Sequence, residues 1–323
     1  MMTCGWAMRL GCLGLFGVSL LSSHGAQAQS DSDAPHGVAL RVDRVESSAG
    51  LSRSQQHYRM RVTVALDQWQ SADVVGDSRL LWFEIQPLDS KRVTRCKHPR
   101  APRKQPPSKR VVHLGKRVPE KAAWSEELDV RMFCSGRALR TLAKGALLKP
   151  YYGWPKPNRS RWLARATDRP ADRVRRLQGP PLVIGPEPKI PGKGPAVLRM
   201  APISRPAGRS LQFSLRLTAK EDARMVYVRP DQYTFRVHGP SQTVQCGMEM
   251  LKVSPIRDFF RKISKRRALS HRLEAGAYCP GFFRTPGIYE VTPILELVHN
   301  GAKVGVESLT GIVEGEPAMV RLY

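Results

Sequence analysis

The sequence predicts an all-β protein made of two tandem, related β-sandwich domains, and an immunoglobulin-like topology is our first expectation for each. The first observation is the alternation of apolar and polar residues over short segments, clearest in residues 58–66 and 211–217. Such alternation is typical of strands with one buried and one solvated face. The second observation is a short signature that occurs twice, at 133–141 and 278–285. Many short strands together with an internal repeat favour a pair of sandwiches.

The signature consists of an aromatic residue, a cysteine, a small residue and a glycine, with Arg-Thr a few positions later. It reads Phe133-Cys134-Ser135-Gly136 with Arg140-Thr141 in the first copy, and Tyr278-Cys279-Pro280-Gly281 with Arg284-Thr285 in the second. Residues 185–195 separate the copies and are too rich in proline and glycine to build a sheet ladder. We therefore predict domain 1 over 38–184, a linker over 185–195 and domain 2 over 196–323, with both domains of ordinary size.

The amino terminus has the pattern of a secretory signal peptide. One basic residue precedes an apolar run over 10–21, and the A-x-A sequence of 26–28 follows. We expect cleavage after Ala28, a flexible tail over 29–37, and export to the periplasm or the extracellular space. No later stretch approaches the roughly 20 apolar residues of a membrane helix, so we expect no transmembrane segment after signal cleavage.

Four cysteines remain after residue 28, and four thiols in an exported chain indicate two disulfides. Of the three possible connectivities, the repeat favours Cys96 with Cys134 and Cys246 with Cys279. Each bridge is expected to add about 3 to 4 kcal/mol to the free energy of unfolding. Both spacings are shorter than we expect for the inter-sheet bridge of an immunoglobulin domain, so each bridge should join another pair of strands. A zinc site is the weaker alternative, because the second copy lacks histidines to match those near the first pair.

The chain beyond residue 28 is strongly basic, with 52 Lys and Arg against 27 Asp and Glu. Residues 29–178 hold 31 basic and 15 acidic residues, a net charge of +16, and residues 179–323 hold 21 and 12, a net charge of +9. Folding does not require such charge, which instead indicates anionic partners bound in a salt-dependent way. The first domain is the stronger candidate for anion binding.

Basic residues concentrate in two segments of the first domain. Residues 97–117 contain eight cations, four prolines and no acid, a composition that predicts an exposed, extended loop. Residues 156–176 add arginines near tryptophans, a combination that can hold phosphate and stack on bases or sugars. The alternative is that the cations only solubilise the protein and that the aromatic side chains face the core. The predicted anion-binding residues are Arg100, Arg103, Lys104, Lys109, Arg110, Arg159, Arg161 and Arg165.

The equivalent interval of the second domain predicts one short, basic amphipathic helix. Ser254 and Pro255 are typical of a helix start, and apolar residues follow Ile256 at i+3, i+4 and i+7. Two alternatives stay open for this helix. Its phenylalanines insert into an anionic membrane surface, or they pack on the core of their own domain. The predicted surface-helix residues are Phe259, Phe260, Arg261, Lys262, Lys265 and Arg266.

The sequence contains no coherent catalytic set: it has no G-x-S-x-G, no H-E-x-x-H and no P-loop. We therefore expect a non-enzymatic binding protein of the bacterial envelope, with no cofactor and no metal, that holds an anionic partner through its basic loops. Lipopolysaccharide or another anionic lipid, an acidic glycan and extracellular nucleic acid all carry the required charge. The alternative is a structural or protein–protein interaction module of an envelope assembly, in which the charge serves only solubility.

Overall fold

The structure, a computed structural model, describes residues 37–45, 50–105, 107–156, 161–203 and 211–323. Strands make up 45% of the chain and helices 14%, so the prediction of a mainly β fold is confirmed. Within those ranges, no helix has the length and apolar character needed to cross a bilayer. The predicted signal peptide and residues 29–36 of the predicted tail lie outside the described residues. Gly37 is buried, and its carbonyl accepts a hydrogen bond of 3.0 Å from the backbone of Asp67.

The first half of the chain, taken here as residues 37–184, folds into antiparallel sheets with two short helices among its described residues. Helix α1 starts at a capping box, in which Ser52 and Gln55 satisfy each other's backbone N–H groups. The elements are β1 (Val38–Arg44), α1 (Arg53–Tyr58), β2 (Arg59–Leu66), β3 (Ser71–Val75), β4 (Leu81–Pro87), β5 (Thr94–Lys97), β6 (Val111–Gly115), β7 (Ala123–Asp129), α2 (Gly136–Ala143), β8 (Ala146–Gly153), β9 (Ala164–Ala166), β10 (Arg173–Val174), β11 (Arg176–Gln178) and β12 (Leu182–Ile184).

The second half, residues 196–323, follows the same plan. Its elements are β13 (Ala196–Ile203), β14 (Gln212–Ala219), β15 (Arg224–Val226), β16 (Tyr233–His238), β17 (Thr243–Gly247), β18 (Arg261–Ile263), β19 (Leu269–Glu274), α3 (Ala275–Tyr278), β20 (Gly287–Leu297), β21 (Gly311–Glu314) and β22 (Ala318–Leu322). Between the halves, the backbone of Lys193 bridges to Glu314, so the proline-rich segment is held against the second half.

Strand pairing in the first half recurs in the second. The order β1-β2-β7 corresponds to β13-β14-β19, the pair β3-β6 to β15-β18, and the order β11-β8-β4-β5 to β21-β20-β16-β17. Strand β12 also pairs with β8, as β22 does with β20. The register at the two central strands agrees as well, because equivalent residues are paired: Phe83 with Cys96 and Pro150, and Phe235 with Cys246 and Pro293.

Alternation along the strands builds two separate hydrophobic cores. On β2, Met60, Val62 and Val64 are fully buried while Arg61 points to solvent. Phe213, Leu215 and Leu217 of β14 are buried in the same way. One core draws its buried residues from 38–184 and the other from 196–320. The two segments in which the sequence shows the clearest period of two are therefore the strands that anchor these cores.

Both predicted disulfides are present, Cys96 with Cys134 and Cys246 with Cys279. The expectation that each bridge joins two strands was wrong, because the second cysteine of each pair lies outside the strands. Strands β7 and β19 end five residues earlier, and a helical turn follows each of them. That turn carries the chain from one sheet towards the edge strand of another, β5 or β17. Each disulfide therefore joins an edge strand to the segment that leaves a different sheet.

The rest of the signature explains why it recurs. Phe133 packs edge-on against Phe83 with ring centroids 5.6 Å apart, and Tyr278 packs edge-on against Phe235 at 5.2 Å. The glycines two positions after the cysteines have φ of +53° and +73°, a left-handed conformation that glycine adopts without steric cost. The signature thus places an aromatic ring, a disulfide and a chain reversal at the same point of both halves.

The predicted amphipathic helix is wrong. Residues 257–259 form a single 3₁₀ turn, and Arg261–Ile263 form strand β18, which pairs with β15. Phe260 and Ile263 are buried, whereas Phe259 and Ile256 are more than half exposed. The chain then reverses at a turn in which Ser264 N–H donates to the Arg267 carbonyl at 2.8 Å, so no helix could continue through Lys265 and Arg266. Pairing with a strand distant in sequence overrides the local pattern, which short apolar segments leave ambiguous.

The two halves meet at a buried cluster centred on Arg131, which is 2% exposed. Its guanidinium donates to Asp129 at 2.6 Å within the first half and to Glu290 of β20 at 2.8 Å in the second. Ser54 of α1 accepts from Arg131 and donates to Glu187, both at 2.8 Å. Burial alone would lower the pKa of Arg131, but Asp129 and Glu290 outweigh burial and hold it above the ordinary value. The cation is therefore permanent and shared by both halves.

Helix α1 contributes further contacts across this junction. The Ser52 hydroxyl donates to Glu290 while it caps its own helix. The Gln55 side chain donates to the backbone carbonyls of His238 at 3.0 Å and Ile288 at 3.2 Å. These side chains come from the first half, yet their polar groups are satisfied by the second. The described parts of both halves accordingly belong to one compact unit.

Candidate functional site

The structure brings together the two basic segments that the sequence predicts separately. The Gln105 side chain donates to the Trp162 carbonyl at 3.1 Å and accepts from the Trp162 backbone N–H at 3.2 Å. The Trp154 indole donates to the Pro102 carbonyl at 3.0 Å. The loop after β5 is therefore held across the segment that follows β8. Cations from both segments consequently share one surface of the first half.

We call this surface the basic face. Seven of the eight predicted anion-binding residues lie on the two segments that form it or on β9. Arg159, the eighth, lies outside the described residues. Eight cations of the face form no ion pair with any residue that the structure describes. These cations are Lys97, Arg100, Arg103, Lys104, Lys109, Arg110, Lys156 and Arg161.

Arg165 differs from the other predicted anion-binding residues because its charge is already balanced. Its Nη2 lies 3.0 Å from a carboxylate oxygen of Asp73 on β3, and its guanidinium stacks over the Trp162 ring at 4.7 Å. Trp154 is buried and Trp162 is half-buried, and both rings pack against the first core. The two tryptophans therefore pack between the core and the basic face. Their burial favours the alternative in which the aromatic side chains face the core over the one in which they stack on a ligand.

A second basic cluster, which the sequence did not single out, lines a cleft beside helix α2. The cleft has a volume of about 660 Å³ and lies between α2 and the turn that joins β4 to β5. Its cations are Arg92, Arg137, Arg140 and Lys144, and Asp89 is the carboxylate among its lining residues. We call it the α2 cleft. Its four cations also lack ion pairs within the described ranges.

The geometry of α2 directs three of these cations to the same side. Arg137, Arg140 and Lys144 are spaced i, i+3 and i+7, which places them on one helical face. Like charges at such spacings oppose helix formation slightly, and the first turn contains no acid that could offset Arg137. Arg140, by contrast, lies in the last turn, where the helix dipole favours a cation. Local helix stability therefore accounts for Arg140 but not for Arg137. The only sequence signal was that Arg140 belongs to the repeated signature, which we interpreted as structural.

Strand β5 connects the two basic regions. Thr94, its first residue, lines the α2 cleft, and Lys97, its last, begins the basic face. Four residues of strand span about 13 Å. β5 lies at the edge of its sheet, with Arg95 exposed and paired with Glu84. The cleft and the face thus lie at the two ends of one edge strand, and we call the two together the basic strip.

His98 adds little charge to this strip near neutral pH. Burial lowers the pKa of His98, and the nearby Arg79 and Arg100 oppose its protonation further. Its Nδ1 accepts a hydrogen bond of 3.1 Å from the Arg100 backbone N–H. His98 is therefore a neutral acceptor at pH 7. Charge on the strip comes from lysine and arginine, which stay cationic over the whole physiological range.

The chain matches no known protein family model, and no curated protein matches its sequence. Among the described residues, no three His, Cys, Asp or Glu side chains are grouped so that they could hold a metal ion. A functional conclusion therefore has to come from the chemistry of the surfaces themselves.

Proposed function

We propose that this protein is an exported, non-enzymatic binding protein of the bacterial envelope that holds a polyanion along the first half. The observation that carries the proposal is the basic strip. Twelve cations without a described ion pair lie in two groups at the two ends of one edge strand. Charge of one sign, concentrated along a track and partly set in a cleft, attracts a chain of repeated anionic groups. Lipopolysaccharide, an acidic glycan or nucleic acid could each supply such a chain.

Export is part of this proposal and is supported by the cysteines. Both disulfides tie an edge strand to a neighbouring segment, and such bridges persist in oxidising compartments. The pattern of residues 1–28 as a signal peptide points the same way. Mass spectrometry of the protein recovered from its native host should find Gln29 at the amino terminus. A chain that retains residues 1–28 and is found in the cytoplasm would contradict export.

We also propose that the two halves are tandem copies of one immunoglobulin-like β-sandwich, with domains over 38–184 and 196–323. The shared order of strand pairing and the shared disulfide position support it. An experimental structure in which the two halves fail to superpose strand for strand would contradict it.

Charge neutralisation at matched sites tests the binding function. The cleft variant is R92Q/R137Q/R140Q/K144Q, and the face variant is R100Q/R103Q/K104Q/K109Q. The control R199Q/R216Q/K220Q/R224Q removes the same four charges from exposed positions of the second half. We expect the cleft and face variants to elute from heparin and lipopolysaccharide columns at lower salt than the control. The reason is that only they remove cations from the strip, where attraction to a polyanion is salt-dependent.

Two outcomes would decide against the proposal. If the cleft and face variants elute at the same salt concentration as the control, total charge rather than the strip governs retention. If a pull-down instead recovers one defined protein and the complex resists about 0.5 M salt, at which surface electrostatics are largely screened, the interaction-module alternative is favoured.

A further inference from the structure

We propose that the second half carries a membrane-binding surface, in which residues 248–259, here called the apolar loop, insert side chains into an anionic lipid bilayer. The described residues include twelve large hydrophobic side chains that are exposed, and six of them lie on this loop or beside it. Leu251 is 63% exposed, Phe259 57% and Ile256 54%. An apolar concentration of this kind marks an interaction site more often than chance. The six residues are Met248, Leu251, Val253, Ile256, Phe259 and Val298.

The loop is held in position rather than merely exposed. The Asp231 carboxylate accepts from the Leu251 backbone N–H at 2.8 Å, and the Arg229 guanidinium donates to the Leu251 carbonyl at 2.6 Å. Arg229 and Asp231 also pair with each other at 2.8 Å, and the Asp231 side chain is only 10% exposed. A buried ion pair thus fixes the backbone of Leu251 while its side chain points to solvent.

Neighbouring apolar residues extend the surface. Leu251 and Val253 line a depression of about 910 Å³ together with Val298, which follows β20. Lys252 and Lys303 lie at the same depression. Apolar walls bordered by ammonium groups suit a lipid, whose acyl chains and anionic headgroup require both kinds of contact.

Charge selects the occupant. Residues 248–267 contain seven cations and two acids, and none of the seven pairs with a described carboxylate. A hydrophilic polyanion would satisfy these cations but would leave Leu251, Ile256 and Phe259 in water. An anionic bilayer satisfies both, since the apolar side chains reach the acyl boundary while cations stay at the level of the phosphates. The seven cations are Lys252, Arg257, Arg261, Lys262, Lys265, Arg266 and Arg267.

This inference does not depend on the anion-binding function of the first half, and its test is designed to separate the two. Flotation with phosphatidylglycerol vesicles and with phosphatidylcholine vesicles measures binding of the purified protein. The apolar variant is L251D/F259D, both at exposed positions. The matched control is V183D/I312D, which adds the same two charges at side chains of β12 and β21 that are 54% and 61% exposed. Unchanged circular dichroism of each variant shows that its fold is retained.

We expect the protein to bind phosphatidylglycerol vesicles and to bind phosphatidylcholine weakly. The apolar variant should bind phosphatidylglycerol at least about tenfold more weakly, because burial of a Leu or Phe side chain is worth more than one decade in affinity. V183D/I312D should stay within about twofold of the parent. When L251D/F259D is introduced into the cleft variant R92Q/R137Q/R140Q/K144Q, binding to phosphatidylglycerol should weaken by the same factor as in the parent, since the loop acts independently of the strip.

A second measurement reports insertion directly. F259W places an added indole on the apolar loop, and lipids with brominated acyl chains should quench its fluorescence beyond the quenching seen in the parent protein. Absence of binding to phosphatidylglycerol, equal binding of L251D/F259D and the parent, or no additional quenching of F259W would each overturn the proposal. Vesicle binding by cations alone gives the third of these results, because the indole would then stay outside the acyl region, and docking of a soluble protein on the loop gives the first.

Discussion

The two halves share their sheets but differ in what they place between their cysteines. The first half has a proline-rich basic loop and strand β6 there, and the second has the apolar loop and β18. An ion pair with a largely buried carboxylate precedes the central strand in both, with its residue order reversed: Asp77 with Arg79, and Arg229 with Asp231. In the first half the Asp77 carboxylate accepts hydrogen bonds from Arg79, two positions away. In the second half the equivalent pair also forms hydrogen bonds to the backbone of Leu251.

This comparison separates scaffold from function. The aromatic residues and cysteines of the repeated signature lie in the cores and at the disulfides, whereas its Arg140 lines the α2 cleft. Residues that differ lie on exposed loops supported by that scaffold, which is where binding residues are generally found. Cations that pair with no described carboxylate collect on the loops and helix α2 of the first half, and apolar side chains with cations around them collect on a loop of the second.

The largest effect should come from breaking the junction on which the comparison depends. Arg131→Ala leaves Asp129 and Glu290 buried without their cation, which should lower the free energy of unfolding by about 3 to 5 kcal/mol. Urea denaturation measures the loss. The control is Arg95→Ala, which removes a largely exposed partner of Glu84 and should cost less than about 1 kcal/mol. Similar losses of unfolding free energy for both variants would show that the buried Arg131 cluster contributes no more to stability than an exposed ion pair.

Removing the disulfides one at a time asks whether the two scaffolds are equally dependent on them. Their sequence separations are 38 and 33 residues, so loop-closure entropy predicts a loss of about 4 kcal/mol for either bridge. Paired Cys→Ala variants, compared by urea denaturation, give the two values. A difference above about 2 kcal/mol would mean that the halves use equivalent bridges differently.

Two adjacent phenylalanines sharpen the contrast between the core and the apolar loop. Phe260 is 4% exposed and packs on Tyr227 with ring centroids 5.2 Å apart, so Phe260→Ala should cost about 3 kcal/mol. Phe259→Ala should change stability by less than about 0.5 kcal/mol, because its ring is in water. Thermal unfolding of both variants is the measurement. Equal losses would restore the amphipathic-helix interpretation, in which both rings face the core.

The smallest predicted effect is on the dependence of the melting temperature on pH in the acid range. Burial by itself would raise the pKa of Asp77, but hydrogen bonds from Arg79 hold the pKa below its ordinary value. Its contribution to stability is therefore present above the unfolded-state pKa of about 4 and is lost as pH falls through the lower folded value. Melting temperatures measured from pH 7 down to pH 2.5 should fall less steeply for Asp77→Asn than for the parent. The exposed Asp168→Asn should keep the parent's slope, and an identical slope for both variants would contradict the assignment.

The sequence was sufficient for the mainly β fold and the disulfides, because period-two alternation and a repeated cysteine are local signals. It failed at residues 256–263, where the apolar positions fit a helix but β15, more than 30 residues earlier, supplies hydrogen bonds to β18. The α2 cleft was equally invisible. Arg92 and Arg137 lie 45 positions apart and become neighbours only when the β4–β5 turn packs beside α2.

The Arg131 cluster determines how the two proposed surfaces work together. Because the halves form one unit, the basic strip and the apolar loop are presented at a fixed separation, although each can bind its own ligand. Once the loop holds a bilayer, a polyanion anchored in that bilayer meets the strip at an effective concentration set by geometry rather than by its amount in solution. Two modest affinities can then combine into avidity that exceeds either by about 10²- to 10⁴-fold. A chain with a severed junction would lose that gain while each surface, tested alone, still bound its own ligand.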